Sequence, residues 1–185
     1  MNAAELVDAP AWSIRPEQPL DLDQIHDLHR EAFRGPAEAE LVDAIRAGAD
    51  FIPGLSLVAA VSDGTVLGHV LVSRIGFLPD REGARPDAAL ALAPLAVLPP
   101  HAGRGIGSAL TREVLRMADE RDEVLVAVLG AQSFYERFDF RPAAEAGIRS
   151  PFDAAGPAYQ VRPIAGRPIE PGSITYPAMF DAVAG

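Results

Sequence analysis

Residues 88–97 read AALALAPLAV, apolar at every position. A strand with one wet face alternates apolar and polar side chains. A run that is apolar at both parities belongs to a strand covered on both faces. The chain must therefore fold around a sheet with further layers on each side. Pro94 lies inside the run. Proline donates no ladder hydrogen bond, so it belongs at an edge, a strand end or a bulge. The proline alone leaves these open.

The rest of the chain supplies the layers. AWSIRP (11–16) reads as a first strand. Asp21 or Asp23 can cap a helix whose one face carries Ile25, Leu28, His29 and Phe33. A second helix is expected from about Pro36 to Ala47, with Leu41, Val42 and Ile45 as its apolar stripe and Gly48 as its stop. LSLVAAV (55–61) and VLGHVLVSRI (66–75) flank Asp63-Gly64, a strong hairpin signal. After a polar loop and the apolar run, Ile106, Leu110, Val114 and Met117 repeat at helical spacing. That helix ends in the charged cluster Asp119 to Glu123, read as a solvated end. VLVAVLG (124–130) is a buried strand, SFYERF (133–138) a helical turn, and AYQVRPI (158–164) and SITY (173–176) are strand-like. The order β-α-α-β-β-β-α-β-α-β-β predicts a mixed α/β fold around one sheet. At 185 residues one domain suffices, with a core over about 12–164 and 165–185 as a C-terminal extension.

The formal net charge of −10 disfavours nucleic acid and anionic membrane as partners. Cysteine is absent, which excludes disulfides, thiolate metal sites and cysteine nucleophiles. MNAAELVDAP has no secretory pattern. These features point to a cytoplasmic location. In such an acidic chain a polyanion would need a local device to hold it.

HAGRGIGSAL (101–110) offers one. Gly103, Gly105 and Gly107 lie between the apolar strand and a helix. The first N–H groups of a helix lack intrahelical partners and carry the positive end of its dipole. Glycines keep side chains away from an approaching phosphate, and Arg104 adds a cation. The spacing alone is equally that of an unliganded strand-to-helix turn. A dinucleotide fingerprint needs G-x-G-x-x-G after the first strand, and a Walker loop needs Gly-Lys-Ser/Thr; neither is present.

The stretch LAPLAVLPPHAGRGIGSAL (92–110) resembles the acyl-CoA motif of the GNAT N-acetyltransferases, Q/R-x-x-G-x-G/A, with Gly105 and Gly107 at its small positions. FYERFDF, IRSPF and a late TYPAMF follow in the order of the YhbS-like branch, so the resemblance spans roughly 12–180. It implies the acyl-CoA N-acyltransferase fold: a central mixed, mostly antiparallel sheet flanked by helices, with a bulge at Pro94 that splays strand 4 from strand 5 beside the active site. It implies acetyl-CoA as co-substrate, bound by Leu95, Ala96, Val97, Ala102, Gly103, Arg104, Gly105, Ile106, Gly107 and Ser108. Leu95 and Val97 would supply main-chain contacts to the pantetheine arm. Ala102 stands where the motif has Gln or Arg, and Arg104 is expected to compensate. Asp139 replaces a frequent glycine, and Asp tolerates a left-handed turn.

The resemblance further implies direct transfer of an acetyl group to a primary amine of a small molecule or protein, within a ternary complex. Tyr135 would be the acid that protonates the departing thiolate; without the resemblance it reads as a core aromatic beside Phe134, Phe138 and Phe140. No base is legible. His26 and His29 are three apart without the H-E-x-x-H pattern, so no metal is expected. His69 reads as packed, His101 as a contact for phosphate or solvent, and Glu31 as solvated. Two alternatives remain: a catalytically silent module of this fold that binds acyl-CoA as a sensor, and a nucleotide-binding domain. A homodimer is an open assembly.

Overall fold

Among residues 12–183, which the computed structural model describes, nine strands form one sheet. The chain runs β1 (Trp12–Pro16), α1 (Leu22–Phe33), α2 (Ala37–Ala47), β2 (Phe51–Val61), β3 (Val66–Pro79), β4 (Asp87–Val97), α3 (Ile106–Ala118), β5 (Leu125–Leu129) and α4 (Gln132–Tyr135). Then come β6 (Arg141–Pro142), β7 (Ile148–Arg149), β8 (Tyr159–Pro163) and β9 (Gly172–Thr175). The sheet order is β1-β2-β3-β4-β5-β8-β6, with β9 bonded to β3 and β7. Pairings are antiparallel except β4–β5 and β7–β9. Of the expected first strand, Ala11 lies outside the described residues.

The doubly apolar run is β4, and it is covered on both sides as its pattern requires. On one face Ile25, Leu28, Leu41, Val42 and Ile45 of α1 and α2 pack on Val58, Leu71 and Ala91. On the other face Ile106, Leu110 and Val114 of α3 pack on Leu57, Val70, Val72 and Leu92. Burying each such side chain stabilises the fold by about 1.5–3 kcal/mol. The hairpin turns at Asp63-Gly64, where Gly64 has φ 92° and the Asp63 carboxylate accepts the Thr65 N–H at 2.9 Å.

Three differences from the sequence reading matter. Phe33 does not join the buried face of α1: it is 41% exposed and turns toward a cavity. β3 extends to Pro79: β4 pairs with it as far as Phe77 and β9 along Gly76–Pro79, a partner that β3's own pattern could not reveal. β6 and β7 have two residues each, too few to show a period. Asp139 adopts φ 65°, the left-handed turn expected of it.

The splay is visible in the registers. β4 and β5 pair at Leu90↔Val126 and Ala91↔Ala127 and no further. Against β3, Val72 faces Leu92 but Val70 faces Leu95, so β4 carries one extra residue at Ala93–Pro94. This is the bulge that the resemblance implies at Pro94. It turns β4 away from β5 and leaves the rest of β4 with an unpaired edge.

Candidate active site

The Leu98 N–H donates to the Leu67 carbonyl of β3 at 2.9 Å. Main-chain groups alternate sides along a strand. Ala96 therefore also bonds toward β3, and Leu95 and Val97 turn their N–H and C=O groups into the gap that β5 has left. An extended ligand can pair there as a strand would.

That edge leads to the start of α3. Gly103 and Gly105 have φ of 74° and 84°, left-handed values that favour glycine. An added Cβ at either would meet nothing within 4 Å, so the loop's backbone stands in open space. The first intrahelical bond is from Ala109 N–H to Gly105 C=O at 2.9 Å. The N–H groups of Ile106, Gly107 and Ser108 are thus left for an acceptor outside the helix. A cavity of about 480 Å³ collects these features; Leu95, Ala96, Val97, Ala102, Gly103, Gly105, Ile106, Gly107 and Ser108 line it, together with His101.

Arg104 is the exception. It is exposed and does not line the cavity. The cation on the wall is Arg137 of the FYERF segment, where no sequence signal marks it as a ligand contact. Its guanidinium lies 4.6 Å from the Phe134 ring centroid, donates to the Phe134 carbonyl at 3.1 Å, and reaches Ser108 Oγ at 3.5 Å. Stacking and hydrogen bonding hold it beside the α3 N-terminus before any ligand arrives.

Leu95 and Phe134 are shared with a second cavity of about 450 Å³, reached through the splay. Tyr135 lines it with Gly130, Ala93, Pro94, Leu41, Phe33, Leu129, Glu38 and Val183 among others. The Tyr135 ring packs edge-on against Phe134 and Phe140, with centroids 4.9 and 5.6 Å away. Gly130 makes room for it: a Cβ there would come within 2.5 Å of the ring. Burial pushes the Tyr135 phenol well above its ordinary value, so it carries its proton at neutral pH. It is both the core aromatic and a donor facing the cavity.

Beneath α1 lies a polar network with no counterpart in the sequence reading. Arg46 makes two hydrogen bonds to Glu17, at 2.8 and 3.0 Å. Ser56 donates its hydroxyl to Glu17 at 2.5 Å. With that proton committed, His69 Nε2, 2.9 Å from Ser56 Oγ, must be a donor. His69 Nδ1 is then an acceptor, and His29 Nε2 donates to it at 2.8 Å. His29 Nδ1 is left as a buried lone pair with no partner among the described residues. Burial, with His69 and Arg46 nearby, lowers the His29 pKa to about 2, so this ring is neutral. Burial also lowers that of His69 against the pull of Glu17. For Glu17, burial acts upward, but the His69, Arg46 and Ser56 contacts outweigh it and hold the carboxyl well below its usual range.

His69 is packed, as expected, but as part of this chain. His26 and His29 diverge: His26 Nδ1 meets Asp43 at 2.7 Å while His29 points to His69. Glu31 is exposed and lines neither of the two cavities. No helix among the described residues is long and apolar enough to cross a membrane.

The sequence model of the acetyltransferase (GNAT) family matches residues 22–140. The uncharacterized N-acetyltransferase YhbS of Escherichia coli K12 is 34% identical over 152 residues, covering 82% of this chain and 87% of that protein. The crystal structure of Escherichia coli YhbS in complex with CoA superimposes with a TM-score of 0.82 at 31% identity, covering 94% of this chain and 93% of that one. A GNAT-family acetyltransferase from Brucella melitensis, in complex with acetyl-CoA, has a TM-score of 0.72 at 31% identity over 92% of this chain and 98% of that one.

Proposed function

The chain belongs to the GNAT family of acetyltransferases, and from that premise we propose that it transfers an acetyl group from acetyl-CoA directly to a primary amine, both substrates being bound at once. One observation carries this reading: the unpaired edge of β4 beyond Ala91 runs from Tyr135 to the bare N-terminus of α3. A thioester with a pantetheine arm and a pyrophosphate spans that path. The structural relatives bound to CoA and acetyl-CoA support it.

Each part has a role set by its chemistry. Leu95 and Val97 pair their main chain with the amides of the arm. The N–H groups of Ile106, Gly107 and Ser108 and the Arg137 guanidinium receive the pyrophosphate, which removes the need for a side chain at Ala102. The thioester then lies at the splay, between the two cavities, with the amine arriving from the second. The amine nitrogen bonds the carbonyl carbon and the carbon–sulfur bond breaks. Unpaired main-chain donors at the splay can stabilise the oxyanion formed on the way. The thiolate takes the Tyr135 proton, the nitrogen sheds one proton to solvent, and solvent reprotonates Tyr135.

Thermal denaturation with acetyl-CoA tests the binding half. Ligand at about 100 times its dissociation constant adds about 2.7 kcal/mol of stability. Thiol release in the presence of amines tests the transfer half. A stability gain without thiol release from any amine would instead indicate an acyl-CoA sensor; a gain with ATP or NAD alone would overturn the assignment.

A further inference from the structure

The second cavity specifies more than an amine, and this step rests on the transferase reading above. Its wall on the α1–α2 side is Phe33, Leu41, Leu129 and Val183, all apolar. Phe33 and Leu129 are 41% and 44% exposed, two of the few large apolar side chains among the described residues left in solvent. Both edge this one cavity. Leaving such surface wet is unfavourable, and a contiguous apolar patch beside a reaction centre marks what the ligand covers.

Set in that wall is one carboxylate, Glu38, in the first turn of α2. It makes no hydrogen bond or ion pair with any described residue; Glu31 and Glu40 are likewise unpaired but do not face this cavity. An acid in a first turn also suits the helix dipole, but Glu40, in the same turn, meets that need without facing the cavity. Glu38 and Tyr135 are the titratable groups on the cavity wall.

We infer that the acceptor is a small primary monoamine with a compact apolar body, bound as an ammonium paired with Glu38 and with its body lying against Phe33, Leu41 and Leu129; the ammonium releases one proton to solvent before the neutral amine attacks. The volume of about 450 Å³ must also admit the acetyl end, which leaves room for a small molecule. A polycation would place its further charges on apolar wall, at a desolvation cost that nothing there offsets.

Phenethylamine, hexylamine, ethanolamine, spermidine and a lysine-containing peptide separate the outcomes. The expected kcat/KM for phenethylamine is at least tenfold above those of ethanolamine, spermidine and the peptide. Glu38→Gln should raise the phenethylamine KM at least tenfold with kcat within about threefold. Its dissociation constant for acetyl-CoA should hold within twofold, which also reports that the variant is folded. Preference for spermidine or the peptide, or an unchanged KM in the variant, overturns the inference. Calorimetric titration of phenethylamine into the CoA-loaded protein gives a readout independent of turnover. Saturable binding, weakened at least tenfold by Glu38→Gln, supports the pocket even without transfer, in which case the transferase reading fails alone. No phenethylamine binding, with thiol release from another amine, overturns the pocket and keeps the transferase.

Discussion

The two faces of the sheet solve different problems with different materials. On the α3 face the buried residues of strands and helix are almost all apolar; Thr111 donates to the Gly107 carbonyl of its own helix at 2.8 Å, and the Gln160 amide of β8 donates to the Gly130 carbonyl at 3.3 Å. The ligand groups offered there are mainly backbone: a strand edge and a helix start. On the α1–α2 face the same sheet buries His29, Ser56 and His69 and ties them to Glu17 and Arg46. The first face is an apolar support for a backbone site. The second combines an apolar cavity with an ionic network whose members must all be present to be tolerated. Tyr135 joins the two: it packs within the α3-side cluster and lines the cavity on the other side of the splay.

The sharpest way to separate the faces is therefore at Tyr135. Tyr135→Phe keeps the ring and its packing and removes the proton donor. Turnover is expected to fall by about 10²–10³-fold, within the range for a general acid. Acetyl-CoA affinity should change by less than about twofold, because the cleft on the α3 face is untouched. Single-turnover thiol release and calorimetry check the two halves. Unchanged turnover would leave Tyr135 as a core aromatic only.

The next largest effect belongs to the opposite face. Glu17 is the anion that Arg46, Ser56 and His69 share. Glu17→Gln should cost about 3 kcal/mol of stability, since it leaves a largely buried guanidinium with half of its ion pairing. The acetyl-CoA dissociation constant should scarcely move. Urea denaturation and calorimetry read these separately, and equal losses in both would show that the faces are not independent.

The network also gives that face a pH signature. His29 is held neutral, with its pKa lowered to about 2 by burial. Its contribution is therefore complete above the unfolded value near 6.5 and declines as pH falls below it, because the unfolded chain then binds a proton that the native chain refuses. Between pH 7 and pH 5 this amounts to about 2 kcal/mol for one such histidine. His29→Gln, which can still donate to His69, should flatten that part of the slope. A slope identical to that of the unaltered protein would mean that His29 does not titrate on unfolding as argued.

What was legible from sequence follows the same division. The α3-face site is nearly continuous in the chain, from Pro94 to Ser108, and its signals are backbone signals: a proline, glycines and the start of a helical period. The loop and the helix start could be read from it, and Pro94 marked an irregularity in the strand; the bulge and the splay came with the family resemblance. The α1–α2 face draws its network from positions 17, 29, 46, 56 and 69, and no local pattern connects them. His69 in VLGHVLV looked merely packed, and Glu17 lies between prolines with nothing to mark it. Glu38 reads as an ordinary first-turn acid until Phe33 and Leu129 are seen beside it.

Arg137 is the place where that division is least clean, because it is a side chain serving the backbone site. The nearest cation in sequence, Arg104, was the expectation, but it is exposed and off the cavity wall. Arg137 arrives from the turn after α4, held over Phe134 and beside Ser108. Arg137→Ala should weaken acetyl-CoA binding about tenfold, the effect of one charge-assisted contact to an anion, with turnover at saturation nearly unchanged. Arg104→Ala should change it less than twofold at the same salt. The loss at Arg137 should shrink as salt rises, because the guanidinium is exposed and screened. Dephospho-CoA, which keeps the pyrophosphate but lacks the 3′-phosphate, tells which group Arg137 meets. An equal tenfold loss with both ligands places the cation on the pyrophosphate at the α3 start. A loss seen only with intact CoA would move Arg137 to the ligand's far end and leave the pyrophosphate to the backbone alone.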